Sequence, residues 1–498
     1  MGLPDISNRK RSEVITDGAD THLGKMFGEM IREHPNQNGV LLLAQGRDAF
    51  VARALLARRA ERCIDTQYYM WHQDTVGRLL IKELIDAADR GVRVRLLIDD
   101  MYGSDGQDTW VAMDAHPQIE VRLFNPFSRT QPKLLQYVTR FKDINYRMHS
   151  KTYTVDNQAT IVGGRNIGDE YFEADPDLSF ADRDALAVGP AVPEVSAEFD
   201  EYWNSEHAYP VATLVAVGTD ADLQGLRDRA GDFFKKSSTT SYLQAVKDSD
   251  LANALRAGTV EYHWGPGKII HDSSEKKDHD ANWKEELLIS QLASYITEST
   301  EEVIMVSPYF VPGQQATEAL CKLAQDGVRV RILTNSLASN DVAAVHAGYS
   351  KYRKPLLRCG VELYELNEEI KDEQRQTFNW LPGLSKSSLH AKTMAFDRKR
   401  MFVGSFNFDQ RSLHINNEIG LLFEIPELAG PAAEMFDHRI EKIAFKVELD
   451  TDSSGKESLR WRGINEGREV VFNEEPYVGS GTRAAVWLLR LMPIESLL

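Results

Sequence analysis

Residues 148–156 read MHSKTYTVD and residues 389–397 read LHAKTMAFD, so His, Lys and Asp recur at one spacing, with 241 positions between His149 and His390 (390 − 149). The alternation of β-branched and aromatic residues after each histidine predicts a strand. On a strand, residues i and i+2 face the same way. His149 therefore projects with Lys151, and His390 with Lys392. An imidazole beside a fixed cation suits a phosphate: histidine attacks phosphorus or moves a proton, and lysine neutralises the charged oxygens. Asp156 and Asp397 close the two strands, where a carboxylate favours a turn role through bonds to nearby backbone.

Further along, GGRN (163–166) and GSFN (404–407) stand in register, again 241 apart. Gly163, Gly164, Gly404 and Ser405 are small enough for backbone amides to approach a ligand, and Asn166 and Asn407 offer side-chain donors. A working histidine needs an acceptor on its other ring nitrogen. Asp184 in DRDALAVGP and Glu418 in NNEIGLLFEIP are the candidates, 35 and 28 residues beyond their histidines; the alternative is a pair of exposed strand-edge carboxylates.

The repeat is wider than these motifs. CIDTQYYMWHQDTVGRLLIKELIDAADRGVRVRLLIDD (63–100) and EVIMVSPYFVPGQQATEALCKLAQDGVRVRILTNS (302–336) both run from an apolar strand through a helix to Gly-Val-Arg-Val-Arg and a second strand. Gly91 and Gly327 are placed to end the helices. Strand–helix–strand units make parallel pairs. The chain divides into an N-terminal segment (1–50), a first half (51–215), a polar connecting region (216–290), a second half (291–445) and a tail (446–498). Two independent tandem domains are the alternative, but one half alone supplies only one His and one Lys.

A chain of 498 residues is too long for one ordinary core. Its 42% hydrophobic and 27% charged residues are globular values. A net charge of −17 counts against a general nucleic-acid binder. Cys63, Cys321 and Cys359 are odd in number and widely spaced, so neither a disulfide framework nor a zinc site is expected, and a reducing cytoplasm is the simpler setting. No apolar run approaches the roughly 20 residues of a membrane span, and the first 20 residues lack the apolar core of a secretory signal.

Twin HxKx4D motifs, each followed by Gly-Gly/Ser-x-Asn, resemble the phospholipase D superfamily. Within it, DTQYYMW, AADRGVRVRLLIDD, HPQIEVRLFNPF, VGGRNIGDEYF and the closing LMPIESLL are similar to bacterial cardiolipin synthases without N-terminal transmembrane helices. The resemblance implies an α/β fold of two duplicated halves, each a mixed sheet flanked by helices, related by a pseudo-twofold axis with one site at the junction. It implies transfer of a phosphatidyl group from phosphatidylglycerol or phosphatidylethanolamine onto phosphatidylglycerol. His149 forms a phosphatidyl-histidine, His390 acts as acid and base, and Lys151, Lys392, Asn166 and Asn407 stabilise the pentacoordinate phosphorus. No metal or cofactor is implied.

Two basic stretches, 127–147 with Arg129, Lys133, Arg140 and Arg147 among aromatics, and 351–358 (KYRKPLLR), precede the catalytic strands. They suit an anionic membrane surface or are solvated helix faces. The tail AAVWLLRLMPIESLL (484–498) lies in the interface or packs on a half. A peripheral position on the inner face of the cell membrane follows as an expectation. Tyr68, Tyr69, Trp71, Tyr309 and Phe310 sit at strand ends that meet the ligand crevice, where they would keep water from the intermediate. A nuclease or phosphodiesterase using the same residues, and a lipid-binding scaffold, are the competing classes.

Overall fold

The computed structural model describes residues 2–276, 287–340, 342–368, 388–465 and 467–492. The first sheet contains β1 (Asn38–Leu43), β2 (Cys63–Tyr68), β3 (Arg93–Asp99), β4 (Ile119–Phe124), β5 (Thr152–Val155), β6 (Ala159–Gly163), β7 (Asp184–Val188), β8 (Ala208–Pro210) and β9 (His263–Gly265). The second contains β10 (Gly267–His271), β11 (Glu302–Val306), β12 (Arg329–Thr334), β13 (Glu362–Leu366), β14 (Thr393–Phe396), β15 (Arg400–Gly404), β16 (Ile419–Glu424), β17 (Ala444–Thr451), β18 (Glu457–Asn465) and β19 (Arg468–Phe472).

Spatial order shows the duplication directly. The first sheet runs β8-β4-β3-β2-β5-β6-β7-β1-β9 and the second β10-β16-β15-β14-β11-β12-β13-β17-β18-β19. Read from opposite ends, β8-β4-β3-β2-β5-β6-β7-β1 matches β17-β13-β12-β11-β14-β15-β16-β10. The strand directions match too: β2–β3–β4 and β11–β12–β13 are parallel, and the remaining neighbours antiparallel. Helices Thr75–Asp89 and Gly313–Gln325 make the parallel crossovers. Gly91 (φ 94°) and Gly327 (φ 95°) follow those helices in the left-handed region that glycine enters without strain.

The repeated Gly-Val-Arg-Val-Arg has a packing reason. Arg95 is buried and pairs with Asp65 on β2 and Asp200 on helix Ala191–Asn204. Arg331 is buried likewise, pairing with Glu302 on β11 and Asp437 on helix Pro426–His438. Each arginine thus ties its strand to a neighbour strand and to the helix behind the sheet. Asp156 accepts hydrogen bonds from the backbone N–H groups of Glu61, Arg62 and Cys63, and Asp397 from those of Thr300, Glu301 and Glu302. In each half this carboxylate caps the turn entering the first parallel strand.

The two sheets share a core. One cluster joins Val40, Val162, Ala185 and Ala187 of the first sheet to Ile269, Val403, Leu421 and Phe423 of the second. The connecting region is less irregular than its polarity suggests, because β9 and β10 add to the edges of different sheets, with β9 on β1 and β10 on β16. The tail also differs from expectation: β17, β18 and β19 extend the second sheet. Residues 493–498 of the tail lie outside the described residues.

Cysteine usage is corrected. Cys321, on helix Gly313–Gln325, and Cys359, closing helix Arg353–Arg358, form a disulfide. Cys63 is free and buried. An odd count does not forbid one pair when two packed helices bring Cα atoms to 5.3 Å. The disulfide removes cysteine usage as an argument for a reducing compartment.

The disulfide closes a loop with a sequence separation of 38. Loop entropy alone assigns such a link about 3–4 kcal/mol. Reduction should therefore lower the urea midpoint of protein whose mass confirms the bond. An unmoved midpoint would show that the link constrains nothing.

Candidate active site

Both catalytic strands enter the site along chain contributed by the other half. The His149 N–H donates to the Asn417 carbonyl at 2.8 Å, and the Asn417 N–H to the Arg147 carbonyl at 2.9 Å. The His390 N–H donates to the Ala181 carbonyl at 2.8 Å. Equivalent buried side chains set the approach to each histidine. Asp99, at the end of β3, accepts from the Met148 N–H and the Arg147 guanidinium. Asn335, just past β12, accepts from the Leu389 N–H and donates to the Leu389 carbonyl.

The side chains repeat the crossing. His149 Nδ1 lies 2.8 Å from Glu418 Oε2, and His390 Nδ1 lies 2.5 Å from Asp182 Oδ2. A carboxylate on Nδ1 holds the N–H there and leaves the Nε2 lone pair to the site. Glu418 therefore serves the first half's histidine, although it belongs to the second half.

The acceptor expected at Asp184 is Asp182 instead. Asp184 pairs with Arg53 at 2.8 Å and faces Arg165, both buried. The register explains the two-residue error: Gly163 lies opposite Asp184 and Gly404 opposite Gly420. Asp184 is thus equivalent to Gly420, and Asp182 to Glu418. Asp182 and Glu418 stand 236 positions apart, the offset of Gly91 and Gly327. That offset was the signal that identifies Asp182.

Small residues in the Gly-Gly/Ser-x-Asn segments leave room for these carboxylate strands. A Cβ on Gly163 would meet Asp184 Oδ1 at 2.1 Å, one on Gly164 would meet Asp182 Oδ1 at 2.3 Å, and one on Gly404 the Ile419 carbonyl at 2.4 Å. Where the first half has Gly164, the second has Ser405, whose hydroxyl donates to Glu418 Oε2 at 2.5 Å. Ser412 Oγ donates to Glu418 Oε1 at 2.7 Å.

Lys151 Nζ donates to the His149 carbonyl at 2.5 Å and Lys392 Nζ to the His390 carbonyl at 2.6 Å. Each lysine thus folds back beside its own histidine, with Lys392 Nζ 3.2 Å from His390 Nε2. Asn166 Nδ2 donates to the Tyr171 hydroxyl. Oδ1 of Asn166 and Oδ1 of Asn407 are buried and unbonded among the described residues. Oxygen and nitrogen of an amide exchange places on flipping, so each asparagine can present N–H there.

Burial pushes the His149 pKa well down, helped by Lys151 and Lys392. Burial and Lys392 also lower His390, against the raising effect of Asp182. Burial brings Lys151 down to about 7, with Lys392 adding to the effect and Glu418 opposing it. The carboxylates diverge. Burial opposes ionisation of Asp182, but His390 and Lys392 hold it below the usual range, whereas burial raises Glu418 despite Lys151 and the two serines.

Of the five aromatics expected at the mouth, Tyr69 reaches a histidine: its ring packs edge-on against His149, centroids 5.0 Å apart, with Lys151 Nζ 5.4 Å from its centre. Tyr68 accepts from Arg53, Trp71 packs on Trp110, and Phe310 stacks on Phe408, all buried. Tyr171 and Phe180, not singled out in the sequence, flank His390 at 5.0 and 5.4 Å. The basic stretch 351–358 is not a rim of free cations: Arg353 is buried on Glu365 and Glu475, and Arg358 pairs with Glu457.

This geometry gathers two His, two Lys and two carboxylate side chains at one junction between the halves. The family pattern described as "Cardiolipin synthase, PLD-like domain" matches residues 55–203 and 292–440. The chain belongs to this family of the phospholipase D superfamily. It is 39% identical over 94% of its length to cardiolipin synthase C of Escherichia coli, covering 97% of that protein. It is 26% identical over 80% of its length to cardiolipin synthase A of Pseudomonas fluorescens, covering 68% of that chain. In fold it is similar to the crystal structure of phosphatidylserine synthase from Haemophilus influenzae (TM-score 0.54, 13% identity), over 85% of this chain and 91% of the other.

The register separates two neighbouring carboxylates by role. Asp182→Asn should leave stability near wild type while lowering kcat by about 10²–10⁴-fold, because it removes the charge that orients His390. Asp184→Asn should instead destabilise by about 3–5 kcal/mol, since it leaves Arg53 buried without its anion. Urea midpoints and turnover of both variants check this; the reverse assignment of effects would contradict the register.

Proposed function

We propose that this chain moves a phosphatidyl group from phosphatidylglycerol or phosphatidylethanolamine to phosphatidylglycerol, making cardiolipin through a phosphatidyl-histidine. The observation that carries the reading is the crossed pair of histidine–carboxylate contacts. Two imidazoles, each with a carboxylate on Nδ1 and Nε2 on the other side of the ring, and two lysines converge on one junction, which is what a two-step displacement at a single phosphorus requires.

His149 is the nucleophile in this reading. Its depressed pKa keeps the imidazole neutral, and Glu418 holds its Nδ1–H. Nε2 forms the bond to phosphorus as the bond to the head-group oxygen breaks, and His390 gives that oxygen its proton. His390 then takes the proton of a phosphatidylglycerol hydroxyl, the new P–O bond forms, and the P–N bond breaks. Asp182, held as an anion, stabilises the imidazolium that His390 is before the first step and becomes again on taking the acceptor's proton; between the steps His390 is neutral. Lys151 and Lys392 supply the positive charge for the pentacoordinate phosphorus, and Asn166 and Asn407 add N–H donors. Substrate and product are membrane lipids, so the protein works against an anionic bilayer surface; no helix among the described residues is long and apolar enough to cross one.

Mass spectrometry of lipids formed from defined phosphatidylglycerol and phosphatidylethanolamine mixtures tests the reading, with cardiolipin as the expected product. His149→Ala and His390→Ala should each abolish it to a similar degree. Half the activity in each variant would indicate two separate sites. Products confined to phosphatidic acid, or cleavage of single-stranded DNA, would favour a hydrolase.

The pKa directions fix the shape of the pH profile. Lys151 carries its charge below about 7 in the free enzyme and loses it above, and His390, which must hold a proton to act as the acid and is lowered by burial, loses it in the same direction, so kcat/KM should fall as pH rises to and past that value. His149 must be neutral to attack and its pKa lies well below 6.5, so the acid limb should appear only well below the ordinary histidine range. A profile flat from about pH 6 to 9 would remove the Lys151 charge from the rate.

A further inference from the structure

Large apolar side chains left exposed are concentrated in two places. Among the described residues, half of the 18 exposed large apolar side chains fall within 134–141 and 487–492. In the first segment, helix Lys133–Thr139 and the turn after it expose Leu134 (79%), Leu135, Val138 (78%) and Phe141. In the second, helix Ser480–Arg490 and its continuation expose Trp487 (60%), Leu488 and Leu491 (65%). A monomeric soluble surface rarely gathers apolar groups in this way without a use for them.

The two segments are unrelated in the repeat, yet they dock on equivalent positions. Tyr137 of the first bonds Met101 through its hydroxyl. Val486 of the second packs on Leu337. Met101 and Leu337 are 236 apart, and each lies two residues beyond Asp99 or Asn335, the residues that hold the chain entering a histidine. Each helix thus docks beside the residue two positions past the one that holds the chain entering a histidine, so both lie next to the catalytic junction.

Charge points to the occupant. In a chain of net charge −17, KLLQYVT and SGTRAAVWLLR contain no Asp or Glu, while Lys133, Arg140 and Arg490 lie on or beside these helices and Arg483 pairs with Glu474. Apolar faces bordered by cations match the interfacial zone of an anionic bilayer. We propose that helices Lys133–Thr139 and Ser480–Arg490 are paired membrane anchors that seat the mouth of the site on the lipid surface. This rests on the phospholipid-transferase reading and adds the surface by which the site meets its substrate. A lipid delivered at that mouth would move its head group to the histidines without its acyl chains crossing water.

The test uses the full chain and vesicles of phosphatidylglycerol and phosphatidylcholine. Leu134→Glu/Val138→Glu and Trp487→Glu/Leu491→Glu change exposed positions, and circular dichroism verifies their folds. Each double variant should bind vesicles at least about tenfold more weakly and lose vesicle turnover in proportion. Turnover of dispersed short-chain phosphatidylglycerol should stay at the wild-type rate. Vesicle binding unchanged in either folded double variant would overturn the proposal. So would a wild-type protein that light scattering shows to be a dimer which these substitutions dissociate, since the faces would then be covered by a second copy. Wild-type protein that binds vesicles but does not turn over the short-chain lipid would instead defeat the transferase reading and leave the anchors standing.

Discussion

Everything in this structure depends on the crossing of the two halves at the histidines. His149 takes its backbone partner from Asn417 and its ring partner from Glu418, and His390 takes Ala181 and Asp182. Neither half can orient its own imidazole. A half folded alone would carry a histidine without its carboxylate and a buried carboxylate without its histidine, the latter being costly. The shared apolar core behind these contacts makes the crossing permanent rather than a docking event.

That arrangement solves an electrostatic problem. Two lysines and two imidazoles lie buried near one another, which depresses the basicity of His149, His390 and Lys151. Such a cluster is unfavourable until an anion arrives, and a phosphodiester supplies that anion. The carboxylates are placed on Nδ1, away from the Nε2 atoms, so they hold the rings without competing with phosphate for the attacking position. Their different surroundings also divide the labour. Asp182 is kept ionised beside Lys392, whereas Glu418 spreads its charge over Ser405 and Ser412. In the proposed mechanism a strong anion would suit the histidine that acts as imidazolium, and a damped one the ring that stays neutral and attacks.

The duplication was legible because the chemistry forces residue types to recur: His-x-Lys on a strand, a small segment ending in Asn, and Gly-Val-Arg-Val-Arg, whose second arginine ties strand to helix in both halves. What failed did so for identifiable reasons. Asp184 looked equivalent to Glu418 because both are acidic and open a strand, but pairing across β6–β7 and β15–β16 sets the equivalence two residues earlier. The aromatics at 68–71 and 309–310 were read by strand position alone. Packing then buried Tyr68, Trp71 and Phe310 in the core and supplied Tyr171 and Phe180 from a loop that carries no repeat signal. Cys321 and Cys359 meet only because two helices of the second half pack side by side, which no spacing rule reveals. The crossing itself left no mark in the sequence, since a carboxylate serving its own half and one serving the other have the same offset.

In the proposed reaction, transfer as opposed to hydrolysis would follow from how these parts are layered. A phosphorylated imidazole reacts with whichever hydroxyl reaches it, so the outcome is set by access. Tyr69 covers one edge of His149, and Tyr171 with Phe180 covers His390, so the rings that react are walled by apolar surface on the flanks not occupied by Glu418 and Asp182. Burial that excludes water also lowers the basicity of the attacking histidine, so dryness and nucleophile state have one cause. The same wall would shut out a bulky lipid acceptor if the mouth faced bulk water. It is tolerable only where the acceptor arrives already desolvated, which the proposed seating of the apolar helices beside Met101 and Leu337 on the lipid surface would provide.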